Sequence, residues 1–415
     1  MRRSAAGLDR PLLVTATGLV IFGILILYSA GQTDVATRAY GVWWKQFVWL
    51  GIGTTGAWVA YKFSPRILEW MAPAAYVISL LLLAATLVVG TGAGTAAGSK
   101  SWLSLGGVRI GQPSELAKVA AVLMLARLLS ERREPPRSLR DLIGPCAIIG
   151  IPFLLVMKQP DLGSAIVFIG ILFAMLFWAG TPVRYLLLLA SPGISLLLAF
   201  STLSWGIWFL SLTVLLLILR PFMLDGVLVW LANIASGALA IPLWSKLAPY
   251  QQNRLLTFLN PDIDPTRAGY HAIQSKVAIG SGGAFGQGYG SGPQKRLGFL
   301  PEQHSDFVFS VVGEELGFVG VLVALGLFFV LFATLVRIAR RTGDAFSSLV
   351  VFGILGLFFT HVFENVGMTV NLMPITGIPL PFFSYGGSFF IICLSCLGLC
   401  FRVASDSQKS GYLDF

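Results

Sequence analysis

Residues 11–30 read PLLVTATGLVIFGILILYSA, an apolar run long enough to cross the ~30 Å hydrocarbon core of a membrane as one α-helix. The run is longer than the apolar part of a signal peptide. Tyr28 also stands where cleavage before Gly31 would require a small residue, so a retained transmembrane helix is predicted.

The chain has 415 residues, 56% hydrophobic and 12% charged, with a mean hydropathy of +0.80. Soluble domains carry roughly 25% charged residues, so a soluble enzyme, a disordered chain and a collagen-like fibre are excluded.

Eleven further apolar segments follow the first. Each is predicted to be helical, because an isolated strand cannot satisfy its backbone hydrogen bonds in lipid. The predicted fold class is an all-α, polytopic integral membrane helix bundle, forming a single domain over 1–415 with a long extracytoplasmic loop at about 245–305. The eleven segments are 43–61, 70–90, 116–129, 142–157, 162–180, 185–201, 203–219, 227–244, 307–336, 348–363 and 388–401.

The net charge of +10 comes from 29 Lys and Arg against 19 Asp and Glu. The basic residues fall in short gaps between apolar runs, which indicates lipid headgroups and topology signals rather than nucleic acid. With both termini cytoplasmic, the short connections carry 17 Lys and Arg on the inner face and 6 on the outer face. This distribution predicts an inner-membrane protein with its long loop outside.

Two polar motifs stand next to predicted outer helix ends. In the first, Ser114 is predicted as a helix N-cap, and Glu115 and Lys118 share a helix face because they are three residues apart. A surface ion pair and a polar cavity are both compatible with this spacing. In the second, Asp161 lies in a four-residue gap beside Lys158, where either a tight turn or a functional site would fit.

The long loop carries several acids and a glycine-rich run at 280–288. Asp262 is interpreted as a turn residue. The glycine run lacks the Gly-Lys-Ser/Thr ending of a P-loop, so close backbone approach to a ligand or a helix is predicted. Glu302, His304 and Asp306 resemble a metal cluster only weakly, because the chain has three His residues in total.

The last motif spans 371–388 and contains GIPLPFFSYGGS at 377–388. Its prolines and glycines lie at membrane depth, which favours a re-entrant segment packed against protein or a watery cavity. A simple connecting loop is the alternative.

Together these motifs resemble the SEDS family of shape, elongation, division and sporulation proteins, and its RodA branch more closely than its FtsW branch. The specific part is the run from LTF at 256–258 through DP at 264–265, GYH at 269–271, GFLPE at 298–302, His304 and DF at 306–307 to GEELG at 313–317. The family usually has ten membrane helices. This chain has three apolar segments between Arg184 and Lys246 where one is usual, so an extra helix pair is predicted.

The resemblance implies an inverting peptidoglycan glycosyltransferase that polymerises lipid II into β-1,4 glycan strands during cell-wall elongation and cell-shape maintenance. It implies lipid II and undecaprenyl pyrophosphate as ligands, and a class B penicillin-binding protein (a transpeptidase) as partner. It also suggests a divalent cation, Mg²⁺ or Mn²⁺, with Asp264 as a candidate ligand, and no organic cofactor. The implied catalytic residue is Asp264, and the expected substrate-binding residues are Trp102, Glu115, Lys118, Asp161, Glu302, His304 and Ser384.

Two other functions remain compatible with the sequence. A polar cavity containing Glu115, Lys118 and Asp161 would also suit a transporter that flips lipid II, although the inverted repeats of many transporters are not apparent. A non-catalytic scaffold for wall enzymes is the third hypothesis.

Overall fold

The computed structural model describes residues 8–92, 101–105, 108–219, 223–247, 249–259, 268–300 and 302–410. All twelve predicted apolar segments are helical within these ranges. Three further helices, α10 to α12, lie in the described part of the long loop. The helices are α1 (Arg10–Ala30), α2 (Val42–Lys62), α3 (Pro65–Val89), α4 (Pro113–Ser130), α5 (Ile143–Lys158), α6 (Leu162–Trp178), α7 (Val183–Leu198), α8 (Thr202–Leu219), α9 (Met223–Lys246), α10 (Pro249–Leu259), α11 (Ala268–Ser281), α12 (Pro293–Arg296), α13 (Val308–Arg341), α14 (Ala345–Thr369) and α15 (Gly387–Ser410).

The polytopic architecture is confirmed by the length and composition of these helices. Among the described residues, α1, α3, α5 with the 3₁₀ turn before it, α9, α13, α14 and α15 are long and apolar enough to cross a membrane. Helices α6, α7 and α8 are shorter and also apolar. The central helix is α14, in whose most apolar stretch 78% of the residues are buried. In the corresponding stretch of α9, at the periphery, 17% of the residues are buried.

A short β-hairpin departs from the all-α prediction. Strands β1 (Leu103–Leu105) and β2 (Val108–Gly111) pair antiparallel in the connection between α3 and α4. Before them, Thr91 and Trp102 exchange two backbone hydrogen bonds of 2.8 and 3.1 Å. Strands of three and four residues between two apolar spans are too short for the hydropathy pattern to show.

Helices α2 and α15 approach each other closely through glycines. A Cβ added at Gly398 would lie 2.2 Å from the carbonyl oxygen of Ala57, and one at Gly53 would lie 2.6 Å from Leu394 Cδ1. Lipid tails are as apolar as leucine, so helices in a membrane associate through such close packing of small residues.

Helices α7, α8 and α9 form a peripheral group held by a buried polar cluster. Asn233 in α9 donates to the Ser191 hydroxyl at 2.8 Å, and Ser195 donates to the Asn233 carbonyl at 2.8 Å. From α8, the indole of Trp205 donates to Ser195 at 2.9 Å and that of Trp208 to Asn233 Oδ1 at 3.3 Å. Each of the five side chains in this cluster therefore finds a partner on a neighbouring helix, which joins the three helices.

We expect Gly398→Ala to destabilise the protein by about 1–3 kcal/mol, because the added methyl group forces α2 and α15 apart. The matched control is Gly326→Ala in α13, where a new Cβ meets no atom within 4 Å. It should leave stability unchanged or raise it by up to about 1 kcal/mol. Thermal unfolding of the detergent-solubilised protein measures both, and equal stability of the two variants would contradict the packing argument.

Candidate functional site

Asp161 joins the N-terminal ends of α4 and α6. It is the N-cap of α6, where its Oδ1 accepts from the Ser164 amide at 3.1 Å, and its Oδ2 accepts from Gln112 Nε2 at 2.9 Å. Gln112 immediately precedes α4. The expected N-cap role of Ser114 is wrong, because α4 begins one residue earlier, at Pro113, and Ser114 lies buried in its first turn.

Lys118 lies at the centre of a buried cluster. Its Nζ is 2.8 Å from Glu115 Oε1 and 3.0 Å from His361 Nε2, and the side chains of Lys118 and Glu115 are 0% and 4% exposed. His361 Nδ1 lies 3.1 Å from the carbonyl oxygen of Pro379. A carbonyl only accepts, so Nδ1 carries the proton and Nε2 accepts from Lys118. Phe389 stacks on the His361 ring with centroids 4.5 Å apart.

The sequence analysis missed His361 and its neighbours on α14. Glu364 is fully buried one turn further along the helix. Asn365 Nδ2 donates to the carbonyl oxygens of Asp306 at 2.9 Å and Ile378 at 2.8 Å. The signal in the sequence for these three residues was a His, a Glu and an Asn within five positions of an otherwise apolar span.

The segment between α14 and α15 folds back into the bundle, as expected of a re-entrant segment. The Ser384 hydroxyl accepts from the Leu380 amide at 2.7 Å and donates to the Ser305 carbonyl at 2.6 Å. Phe382 and Phe383 are buried, and the Phe382 carbonyl lies so close to Gly23 in α1 that no Cβ would fit there. Ser384 therefore connects the last motif to the end of the long loop.

Glu302, His304 and Asp306 lie together at the end of the long loop. Glu302 is 3.3 Å from Arg38 Nη1 and 3.8 Å from His304 Nε2. Burial lowers the pKa of His304, and Glu302 only partly opposes this shift. Burial and the nearby Glu302 carboxylate raise the pKa of Asp306 to about 6, with Arg254 acting in the opposite direction.

The glycine-rich run approaches a helix, which is one of the two alternatives that the sequence predicted, a ligand being the other. Gln287 and Phe318 make backbone hydrogen bonds of 2.9 Å each, to the carbonyls of Glu314 and Gly283. At Gly317 the helical conformation of α13 is interrupted, with φ +63° and ψ −158°, and a Cβ there would clash with the Gly286 nitrogen. The run therefore docks onto α13 at a break in that helix.

A second buried ion pair holds the long loop to α13, and a hydrogen bond from the same lysine holds the loop to α1. Lys295 Nζ lies 2.6 Å from Glu315 Oε1, with both side chains 0% exposed, and donates to the Ser29 carbonyl at 2.8 Å. Glu314 accepts from the Gln294 amide at 2.6 Å, at the start of α12. Charges in such a position require an opposite charge close by, which the ion pair provides.

The two remaining acids of the loop, Asp262 and Asp264, lie outside the described residues. The helices that flank them, α10 and α11, contact the site. Arg254 of α10 donates to the Thr376 carbonyl at 3.5 Å, and Ser275 of α11 contacts the Ser310 hydroxyl at 2.7 Å.

Trp102 lies in the α3–α4 connection and is partly exposed, beside β1. The structure thus brings Glu115, Lys118 and His361 into one cluster and Glu302, His304 and Ser384 into a second. Asn365, in the same helix as His361, contacts Asp306 and so links the two clusters.

Known proteins resemble this chain over nearly its whole length. The family model FtsW/RodA/SpoVE, described as cell cycle protein, matches residues 10–208 and 195–409. Peptidoglycan glycosyltransferase RodA of Treponema pallidum is 35% identical, with 97% of this chain and 98% of that protein covered. Peptidoglycan glycosyltransferase MrdB of Escherichia coli K12 is 36% identical, with coverages of 95% and 93%.

A solved structure described as a peptidoglycan synthase complex that coordinates polymerization and crosslinking matches with a TM-score of 0.71 and 31% identity. It covers 97% of this chain and 99% of the matched one. The crystal structure of Thermus thermophilus rod shape determining protein RodA matches with a TM-score of 0.61 and 29% identity, covering 96% and 97%.

The fold and the polar clusters define a multi-pass membrane protein with a structured loop docked on one end of its helix bundle. This chain belongs to the FtsW/RodA/SpoVE family. The two family matches overlap at 195–208, around the junction of α7 and α8, where the sequence predicted an extra helix pair.

Replacing Glu115 by Gln alone should destabilise the protein by about 3–5 kcal/mol, because it leaves the Lys118 ammonium buried without its carboxylate. The double variant Glu115→Gln/Lys118→Met removes both charges and should recover most of that loss. Denaturation of both variants in detergent gives the two values, and a double variant as unstable as the single one would argue against charge pairing.

Asp306 should make stability depend on pH. Its pKa of about 6 in the folded protein exceeds the ordinary value of about 3.9, so the folded state binds the proton more tightly. Stability associated with this carboxyl is present below pH ~4 and lost as the pH rises through ~6. Asp306→Asn should therefore be more stable than wild type at pH 7.5, with the difference shrinking towards pH 4.5, as measured by thermal unfolding. A difference independent of pH would indicate a packing effect instead.

Proposed function

We propose that this chain is an inverting peptidoglycan glycosyltransferase that polymerises lipid II in cell-wall elongation and cell-shape maintenance. The observation that carries this proposal is the similarity over more than nine-tenths of the chain to proteins named peptidoglycan glycosyltransferases. The charged clusters at the loop end of the bundle support it, because they concentrate polar chemistry where a lipid-linked sugar would meet water.

The chemistry requires one base. A sugar hydroxyl of one lipid II molecule attacks the anomeric carbon of another, and undecaprenyl pyrophosphate leaves. Glycosidases need two carboxylates because a sugar alkoxide leaves poorly without a proton. A pyrophosphate leaves already ionised, so one carboxylate that removes the proton from the attacking hydroxyl is sufficient.

We assign this general base to Asp264, acting on the acceptor 4-hydroxyl. A positioned general base contributes typically about 10²–10⁴-fold to the rate. Attack on the face opposite the pyrophosphate inverts the anomeric centre, so an α-linked donor gives a β-1,4 bond.

Lys118 is proposed to stabilise the departing pyrophosphate. An ammonium has three N–H donors, and Glu115 and His361 take two of them. We propose that the third donor bonds to a phosphate oxygen, in a region where electrostatic interactions are stronger than in water. Trp102, Asp161, Glu302, His304 and Ser384 are proposed to hold the sugars and the peptide.

The suggested divalent cation gains no support from the described residues. Among them, no three His, Cys, Asp or Glu side chains converge as metal ligands. Asp264, the candidate ligand, lies outside those residues. A divalent cation, Mg²⁺ or Mn²⁺ held by Asp264, stays a proposal.

The membrane bundle itself fits the substrate. A groove between helices would let the ~55-carbon tail remain in hydrocarbon, where burial of each CH₂ is worth about 0.8 kcal/mol. We propose the orientation with both termini cytoplasmic and the loop outside, in the bacterial inner membrane. The matched complex that couples polymerization to crosslinking supports a transpeptidase partner, a class B penicillin-binding protein.

The proposal is tested with purified protein and fluorescent lipid II. Wild type should form glycan strands, and Asp264→Ala should form none, with a rate lower by at least about 10²-fold. Asp262→Ala is the matched control two residues away and should retain most of the activity.

Equal loss in the two variants would remove the distinction between these acids. Strands made by Asp264→Ala would refute the assigned base. Transport of lipid II across vesicles by both variants, without polymer, would favour the flippase.

A further inference from the structure

A groove of about 410 Å³ lies beside the loop end of α1, outside the two polar clusters. One wall is the last turn of α1, with Tyr28. A second wall is the connection from α1 to α2, with Gln32 and Asp34. The third wall comes from the long loop, with Tyr289 and Arg296.

The groove is preformed, because its walls are bonded to one another. The Asp34 amide donates to the Arg296 carbonyl at 2.9 Å, and the two side chains form an ion pair of 3.0 Å. The Tyr289 hydroxyl donates to the Leu25 carbonyl at 2.7 Å. The Tyr28 ring contacts Trp43 edge to face, with centroids 5.3 Å apart.

The lining suits a polyhydroxylated ligand. Tyr28 and Tyr289 are 41% and 46% exposed, so each offers part of its ring to a ligand. Gln32, Thr33 and Asp34 add amide, hydroxyl and carboxylate groups that can bond to sugar hydroxyls. A lipid phosphate would need an unpaired cation, whereas Arg296, the one cation among the described residues of this lining, is paired with Asp34.

The groove lies close to the end of the long loop. Four residues after Asp34, Arg38 contacts Glu302, and four residues span at most about 14 Å. Ser29, in the groove wall, bonds to the buried Lys295 next to Arg296. A polymer leaving the region of Glu302 and Asp306 can therefore enter the groove.

We propose that this groove binds the growing glycan strand and so keeps its end near the catalytic loop between successive additions. This inference rests on the proposed function. A polymerase that releases its product after each step makes short strands, so occupancy of the groove should set strand length.

The test compares strand lengths made by full-length protein from fluorescent lipid II. Tyr28→Ala/Tyr289→Ala should give markedly shorter strands than wild type, and should bind soluble uncrosslinked glycan oligosaccharides about tenfold more weakly. Phe285→Ala is the matched control, since Phe285 is an 83% exposed aromatic residue of the same loop that does not line the groove. It should give wild-type lengths.

A second variant tests the inference independently in case Tyr28→Ala/Tyr289→Ala does not fold. Gln32→Trp fills the groove without removing the contacts that join its walls, and it should shorten strands as well. Wild-type strand lengths in both variants would overturn the inference, as would weaker binding of anionic lipid vesicles with unchanged lengths. The absence of any polymer from wild type would instead refute the proposed function.

Discussion

A charge buried inside a membrane protein must find its counter-charge within the protein, because neither the packed interior nor the lipid offers water or ions. Lys118 and Lys295, both completely buried, meet this constraint through Glu115 and Glu315. Each pair also recruits groups from a second element, His361 of α14 in one case and Ser29 of α1 in the other. The contacts of these two ammonium groups thereby hold α4 to α14, and the long loop to α13 and α1. These contacts bring the elements of the site together at the loop end of the bundle.

The two ion pairs have different settings. Lys118 and Glu115 are one helical turn apart, and the contact with His361 connects α4 to α14. Lys295 and Glu315 join the loop to the part of α13 that precedes its break, so they hold the polypeptide that leads into Glu302 and Asp306. The first pair carries the cation that is proposed to bind the pyrophosphate, while the second positions the loop that is proposed to carry the base. Removing both charges of a pair is tolerated far better than removing one, which is typical of buried ion pairs.

The sequence predicted the membrane helices well, because an apolar run of about 20 residues has few other structures open to it in lipid. It also identified Glu115, Lys118, Asp161 and Ser384 as polar residues at the bundle end. It did not identify His361, Asn365 or the Lys295–Glu315 pair, because hydropathy carries no information on contacts between distant residues. Lys118 and His361 are 243 residues apart in the chain. The β-hairpin and the start of α4 were missed because they depend on a few residues of local backbone geometry. Asp264 was assigned from family resemblance alone and remains a prediction.

The break of α13 at Gly317 is bridged by the glycine-rich run of the long loop. Before the break, the carbonyls of Glu314 and Glu315 accept from the amides of Gln287 and Gly288, and after it the amides of Phe318 and Val319 donate to Gly283 and Ala284. Bilayers differ in thickness, and a spanning helix adjusts to them mainly by tilting. Because the loop is bonded to both sides of Gly317, a tilt of the long arm of α13 would be transmitted to the loop, so the enzyme's chemistry would respond to the thickness of the surrounding lipid.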